Sequence, residues 1–182
     1  IRHGRLPGLA IESALQPAVA DADGHLLVTG LGNSARARLR IRTESIDDPY
    51  LLPSADGVVF KPRAGRIALG EYPLRISGEV MIKIQLTDAD GHSRGVSALG
   101  VMLVAANGEV VKAGRSEYDG TVLLEGLAPG DYQLRLDPSQ SERLHISLVG
   151  AIAVRIPAAG GYAGEVVAPI TISRADSEQI IK

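Results

Sequence analysis

Four arginines alternate with small or apolar residues in the first half of the chain. Arg36, Arg38, Arg40 and Arg42 are separated by the single residues Ala37, Leu39 and Ile41. Successive side chains of a strand point to opposite faces, so on a strand this spacing places the four guanidinium groups on one face. Arginine suits bidentate contacts with carboxylates, which makes this Arg strip a candidate docking surface for an acidic partner. The competing interpretation is a solvated face paired with carboxylates of a neighbouring strand.

Two identical pentads, Asp21–His25 and Asp88–His92, read Asp-Ala-Asp-Gly-His. Alternating aspartates before a glycine are also found at the start of calcium loops, but the glutamate that closes such a loop is absent here. We therefore interpret these aspartates as turn-forming residues. The chain has no cysteine, and its histidines lack metal-ligand spacing, so we predict no metal site. These histidines are His3, His25, His92 and His145.

Motifs for catalysis are also absent from the sequence. It contains no Gly-x-Ser-x-Gly elbow, no glycine-rich phosphate loop and no His-Glu-x-x-His. We therefore predict a protein that is not an enzyme, with no catalytic residues and no cofactor. Only 3% of the residues are aromatic, and the net charge of −2 gives no general reason to bind nucleic acid or an anionic membrane surface. Protein partners are the remaining expectation.

No apolar run approaches the ~20 residues of a membrane-spanning helix, so we expect no direct membrane insertion of this chain. The sequence begins at Ile1 rather than at methionine, which suggests a chain processed or excised from a longer protein.

The elements that position these residues are predicted to be strands. Within Ser116–Pro138, the Asp119-Gly120 and Pro129-Gly130 turn signals bound short β-prone runs, and apolar and polar residues alternate from Tyr132 onward. Helical periodicity is scarce and is confined to about Pro138–Leu144, with a candidate N-cap in Ser139–Glu142. The predicted strands are Leu9–Ile11, Leu26–Thr29, Ala35–Thr43, Val58–Lys61, Arg66–Arg75, Gly78–Leu86, Val101–Ala105, Val110–Arg115, Thr121–Glu125, Asp131–Leu136, Ile146–Ile156 and Glu165–Ser173.

A weak internal repeat sets the expected number of domains. Asp23-Gly24 is followed by Gly30-Leu31 at the same distance that separates Asp119-Gly120 from Gly126-Leu127. Each copy predicts a hairpin strand that ends at a glycine. We therefore predict an all-β chain of two tandem β-sandwich domains, an Ig-like domain over residues 1–76 and a second sandwich over residues 77–182, for which the resemblance given next implies a transthyretin-like fold.

The second domain resembles the carboxypeptidase regulatory-like group of transthyretin-like sandwiches. The matching segments are Ser77–Val80, Gly100–Val104, Asn107-Gly108, Tyr118–Gly120 and Glu125–Leu134. A related group, the Cna-B adhesin stalk domains, forms an isopeptide bond between a first-strand lysine and a late asparagine, assisted by a glutamate. Lys83 lies where that lysine would be. However, the only asparagines are Asn33 and Asn107, and Arg135-Leu136 stands where the glutamate is expected, so we predict no such cross-link.

The order of motifs along the whole chain resembles the C-terminal region of usher-like outer-membrane proteins of chaperone–usher pilus systems. The segments that carry this resemblance are Asp21–Leu31, Asp47–Pro53 and Val59–Arg66, followed by the regulatory-like sandwich. The resemblance implies a periplasmic, outer-membrane-associated location and a role in holding chaperone–pilin complexes during pilus assembly.

Two alternatives stay open at this point. The first alternative is a rigid spacer or adhesion module of a bacterial cell-surface or secreted protein. The second is a regulatory β-domain appended to a peptidase. The sequence gives no oligomeric state.

Overall fold

The computed structural model describes residues 6, 8–12, 18–31, 36–87 and 91–172. The chain divides into two compact units, Ile1–Ile76 (unit 1) and Ser77–Lys182 (unit 2). In the described ranges, strands dominate the regular structure, and helix is confined to one α-helix and one short 3-10 turn. The all-β prediction is therefore confirmed. The assignment of the units as an Ig-like and a transthyretin-like domain stays a prediction.

The described part of unit 1 contains six short strands and a 3-10 turn at Thr43–Ser45. One antiparallel sheet has the order β2-β1-β3-β5, and β4 pairs with β6 in a second, two-stranded sheet. The buried cluster of this unit is formed by Ile11, Leu39 and Ile41. The strands are β1 Ala10–Glu12, β2 Ala18–Val19, β3 Ala37–Ile41, β4 Leu51–Pro53, β5 Val58–Phe60 and β6 Leu74–Ile76.

Unit 2 is a sandwich of two sheets. One sheet has the order β10-β9-β12-β14 and the other the order β11-β7-β15-β13, with β8 paired to the end of β7. Its elements are β7 Gly78–Thr87, β8 Ser93–Gly95, β9 Gly100–Val104, β10 Val110–Arg115, β11 Thr121–Leu127, β12 Gly130–Leu136, α1 Pro138–Leu144, β13 Ile146–Leu148, β14 Ile152–Ile156 and β15 Gly161–Ile172.

Strict alternation explains why the two sheets of unit 2 pack face to face. Val80, Ile82 and Ile84 of β7 have no exposed surface, whereas the residues between them are half-buried on the other face. Leu103 and Leu134 of the opposite sheet belong to the same buried cluster. Both sheets therefore contribute one apolar face to a single core, as expected for period-two strands.

The helix of unit 2 forms where the sequence predicts it, but its cap differs from the prediction. Asp137, not Ser139, is the N-cap residue, and its carboxylate accepts a hydrogen bond of 2.9 Å from the backbone N–H of Gln140. Pro138 takes the first helical position, where a missing N–H has no cost. Because proline fixes the first turn, the cap lies two residues earlier than the serine signal suggests.

Three predicted strands in or near the described part of the chain differ from the structure. Leu26–Thr29 is not a strand, although Leu26 and Val28 pack against the unit 1 cluster. Of Arg66–Arg75, only the last two residues belong to a strand, Leu74–Ile76, and Ile67 and Leu69 are exposed. Among the described residues, neither segment has a neighbouring strand with which to share hydrogen bonds, and a local apolar pattern cannot reveal this.

The third difference lies in unit 2, where Ile146–Ile156 is two strands rather than one. The chain breaks at Gly150, whose φ is +82°, and the two halves join different sheets. The sequence analysis also missed the short strands β2, β4 and β8. Ala35 and Ser173, the ends of two predicted strands, lie outside the described residues.

Candidate functional site

The Arg strip lies on the outward face of β3, the third strand in the order of the unit 1 sheet. Leu39 and Ile41 are buried, whereas Arg38 and Arg40 between them are exposed. Arg36 directly precedes β3 and Arg42 directly follows it, and both are exposed. The structure therefore places the four predicted residues along one strand, with the intervening apolar side chains turned towards the core.

One carboxylate contacts the middle of the strip. Asp56, in the turn before β5, lies 3.1 Å from Nη2 of Arg40 and 3.5 Å from Nη1 of Arg38. These side chains are between 52% and 76% exposed. Ion pairs at such exposure contribute only about 0–1 kcal/mol to stability. Asp56 therefore orients the two guanidinium groups more than it stabilises the fold.

Gly57 allows the turn of Asp56 to approach β3 closely. Its φ is +112°, and a Cβ atom at this position would lie 2.7 Å from the carbonyl oxygen of Leu39 and 3.1 Å from Cγ of Arg38. A side chain there would both strain the backbone and push the turn away from the strand. The Asp56-Gly57 turn is thus part of the site.

Positive charge remains after this pairing. A single carboxylate is shared by Arg38 and Arg40, and no ion pair joins Arg36 or Arg42 to another residue of the described ranges. The β3–β5 register pairs Ala37 with Phe60 and Arg38 with Val59, which brings Arg36 beside Lys61. Arg36, Val59, Phe60 and Lys61 line a shallow open depression. Sequence analysis missed Val59 and Lys61 because only the pairing of β5 with β3 adds them to the strip.

The first Asp-Ala-Asp-Gly-His pentad forms a turn that is held by hydrogen bonds within the pentad. Oδ1 of Asp21 accepts hydrogen bonds from the backbone N–H groups of His25, at 2.8 Å, and Asp23, at 2.9 Å. The His25 N–H group in particular lowers the pKa of the Asp21 carboxyl below its usual value. These contacts fit the turn interpretation. Asp88 and Asp90 of the second pentad lie outside the described residues, as does His3.

Among the described residues, no group of three or more histidine, aspartate or glutamate side chains is arranged to hold a metal ion. His25, His92 and His145 lie apart from one another along the chain, in a turn, beside β8 and at the end of α1.

Lys83 faces away from the core of unit 2. It lies between Ile82 and Ile84, which are fully buried, and pairs across the sheet with Thr121 and Val167. Asn107 lies in the turn between β9 and β10, where its side chain exchanges hydrogen bonds with Glu109. Lys83 therefore has no asparagine among its cross-strand neighbours. Asn33 lies outside the described residues.

No protein-family model and no curated protein sequence matches the chain. Solved structures of similar fold include the minor pilin of Streptococcus agalactiae, with 14% identity over 90% of this chain and 71% of that chain and a TM-score of 0.41. The Bacillus anthracis TIE protein has 14% identity over 90% of this chain and 31% of its own, with a TM-score of 0.38. The major pilin subunit of Bacillus cereus has 14% identity over 74% of this chain and 37% of its own, with a TM-score of 0.37.

These similarities concern all-β proteins, and the chain spans only about a third of the length of the last two. No outer-membrane usher and no carboxypeptidase regulatory-like domain is among the three. Every TM-score is below 0.5, so these similarities assign no function to the chain. In the described part of the chain, no helix is long and apolar enough to cross a membrane.

Proposed function

We propose that the chain is a non-enzymatic protein-binding module whose Arg strip docks an acidic protein surface. The observation that carries this proposal is the single exposed carboxylate of Asp56 shared by Arg38 and Arg40. Each guanidinium group has five N–H donors, most of which face solvent in this arrangement. A carboxylate of a partner can therefore bind there without first breaking a strong internal contact.

The setting we propose is the periplasmic C-terminal region of an usher-like pilus assembly protein, where the acidic surface belongs to a chaperone–pilin complex. Its support is the order of the motifs Asp21–Leu31, Asp47–Pro53 and Val59–Arg66 before a sandwich domain. The Arg strip and Val59 lie on the same sheet of unit 1, so one of these motifs contributes directly to the proposed docking surface.

A second candidate function, a spacer or adhesion module under tension, is favoured by the strand order of unit 2. Its first strand, β7, and its last, β15, are parallel neighbours with eight paired positions. Pulling the start of β7 and the end of β15 in opposite directions would shear this ladder, so its hydrogen bonds would share the force rather than break one at a time. Such an arrangement resists forced unfolding, a property set by the unfolding rate.

Binding measured by isothermal titration calorimetry tests the docking proposal. The chain is titrated with a cognate chaperone–pilin complex at about 50 mM and about 300 mM NaCl, since salt screens exposed charges beyond ~10 Å at 0.1 M. We expect Arg38→Glu/Arg40→Glu to raise Kd about tenfold or more at low salt. Asp56→Asn should lower Kd about threefold, because it removes the competing carboxylate.

The matched control is Arg115→Glu/Arg135→Glu, which makes the same change in net charge at exposed positions of unit 2. We expect it to change Kd less than twofold. An equal loss of binding in both double variants would show that only net charge matters. No binding by the wild type at low salt would argue against the usher setting, and the spacer function would then be tested by force spectroscopy of unit 2.

A further inference from the structure

Unit 2 has a surface of charged and apolar side chains on the outward face of the sheet β11-β7-β15-β13. Leu123, Met81 and Glu165 lie in one row across three neighbouring strands. Thr121, Lys83 and Val167 form the next row. Glu125, two residues beyond Leu123, is exposed on the same side of β11. We call Leu123, Glu125, Glu165, Val167 and Tyr162 the glutamate face.

Apolar side chains lie beside the carboxylates of this face. Tyr162 is 52% exposed, Leu123 49% and Val167 47%. Within the described ranges, no ion pair neutralises Glu125 or Glu165. Glu79 lies on the same face but makes an interaction of its own, so it is not counted as available. The face thus combines exposed apolar area with two glutamates that outnumber the one cation, Lys83, lying beside them on β7.

The two units carry opposite net charge. Unit 1 contains 10 Lys and Arg against 8 Asp and Glu, a net charge of +2, and unit 2 contains 9 against 13, a net charge of −4. These values add to the −2 of the whole chain. Two copies of the chain are therefore attracted when unit 1 of one approaches unit 2 of the other.

The Arg strip and the glutamate face also match in detail. Strand geometry places the Cα atoms of Glu125 and Glu165 about 12 Å apart, two strands across and two residues along. Arg36 and Arg40 are about 13 Å apart along β3 by the same geometry. The strip has its own exposed apolar residue, Val59 (51% exposed), beside Arg38. Both surfaces therefore present charges at similar spacing around apolar side chains.

We propose that the Arg strip of one copy binds the glutamate face of a second copy. This proposal rests on the proposed function, since it names one acidic surface that the strip binds. The contact is heterologous: each copy uses one surface on unit 1 and a different one on unit 2. A heterologous contact leaves one free surface at each end, so further copies add head to tail.

The association is expected to be weak and reversible. Two sheet faces a few strands wide bury less than the ~1,200 Å² at the lower limit of stable interfaces. The charged groups on both faces are exposed, so the attraction falls as salt screens them. The strip cannot hold a second copy and another acidic partner at once, and self-association therefore competes with partner binding.

Sedimentation velocity of the full chain tests the proposal across a hundredfold range of protein concentration. At about 50 mM NaCl we expect the average mass to rise with concentration, and at about 300 mM NaCl to return to that of the monomer. Arg38→Glu/Arg40→Glu and Glu125→Lys/Glu165→Lys should each weaken association at least tenfold, since each creates like charges across the contact.

The decisive sedimentation experiment uses one chain that carries all four substitutions. This variant has the net charge of the wild type and reverses both surfaces, so it should associate as the wild type does. The matched control for the glutamate face is Glu109→Lys/Glu142→Lys, at exposed positions in the β9–β10 turn and α1. It should associate within twofold of the wild type. Circular dichroism of every variant checks that it folds.

Three results would overturn the proposal. The first is an average mass that does not change with protein concentration at low salt. The others are association of Glu125→Lys/Glu165→Lys as strong as that of the wild type, and failure of the fourfold variant to associate. The proposed function is tested separately, by binding to the chaperone–pilin complex. If the strip variant still loses chaperone–pilin binding while the wild type remains monomeric, the docking role stands and only self-association is rejected.

Discussion

Unit 1 and unit 2 use the same kind of strand to build very different cores. The main cluster of unit 2 contains seventeen buried residues, nine of them at most 1% exposed. The cluster of unit 1 contains three, each 7–8% exposed, with eight half-buried apolar side chains around them. Apolar burial contributes about 25 cal/mol per Å², so unit 2 contains most of the stabilising area of the described chain.

The candidate binding residues are distributed in the opposite way. The Arg strip occupies the unit with the small core, whereas unit 2 supplies long strands and the ladder of β7 with β15. A charged face costs little stability when its strand buries only two side chains, here Leu39 and Ile41. The comparison teaches that, in this chain, core size and candidate binding charge are separated between units.

Truncation of a core residue in each unit gives the largest expected difference. Ile82→Ala removes a fully buried side chain from unit 2 and should lower the free energy of unfolding of that unit by about 3–4 kcal/mol. Leu39→Ala should cost about 2 kcal/mol in unit 1 only, since half-buried neighbours can close around the gap. Amide hydrogen exchange, resolved by residue, measures both.

The comparison fails if Leu39→Ala accelerates exchange in β7 and β12 as strongly as in β3. That result would mean that the units unfold together, so that the small core of unit 1 is not an independent weak point.

The turn between β10 and β11 tests how tightly unit 2 is packed. Gly120 has a φ of +85°, and a Cβ atom there would lie 2.5 Å from the carbonyl oxygen of Ile84. Gly120→Ala should therefore cost about 2–3 kcal/mol, from backbone strain together with displacement of the turn. Urea denaturation measures this change as a lower midpoint.

Gly91→Ala is the matched control. Gly91 also has a φ of +85°, but a Cβ atom there would meet no atom within 4 Å. Strain alone, about 1 kcal/mol, is then expected. Equal costs at the two glycines would show that backbone conformation, not the close approach of Ile84, decides the energy at Gly120.

How far the sequence predicts the fold also differs between the units. Val110–Arg115 and Pro138–Leu144 have the predicted bounds, because the first follows the Asn107-Gly108 turn and the second begins at a proline. In unit 1, Leu26–Thr29 has an equally apolar pattern but no strand partner. The Asp-Gly to Gly-Leu repeat therefore ends in a strand only in its second copy. Strand pairing is a tertiary property that local pattern does not contain.

For the candidate site, the sequence predicts the strip but not its surroundings. Alternation around Leu39 is sufficient to place Arg38 and Arg40 on one face. Asp56, Val59 and Lys61 join them through the antiparallel register of β5 with β3, which depends on the intervening turns. The glutamate face was missed for the same reason, since Glu125 and Glu165 are forty residues apart in sequence and meet only across β7.

The smallest expected effect compares one turn aspartate in each unit. In unit 2, the hydroxyl of Thr121, at 2.7 Å, and its backbone N–H lower the pKa of the Asp119 carboxyl below the usual value of 3.8. In unit 1, the pKa of the Asp21 carboxyl is lowered mainly by backbone N–H groups, led by that of His25, with a smaller contribution from the charge of the His25 side chain. Thr121→Val should raise the pKa of Asp119 only part of the way and leave that of Asp21 unchanged, as carboxyl NMR titration would show.

The sign of the pH dependence follows from these lowered values. A carboxyl whose pKa is lower in the folded than in the unfolded chain contributes stability above the unfolded value, and loses it as the pH falls through the folded one. The loss for both turns therefore occurs below pH 3.8. In Thr121→Val, acidification should lower the free energy of unfolding of unit 2 by less than in the wild type. The decrease in unit 1 should be the same as in the wild type. A shift of the Asp21 titration in this variant would contradict the assignment, because each aspartate is bonded only within its own turn.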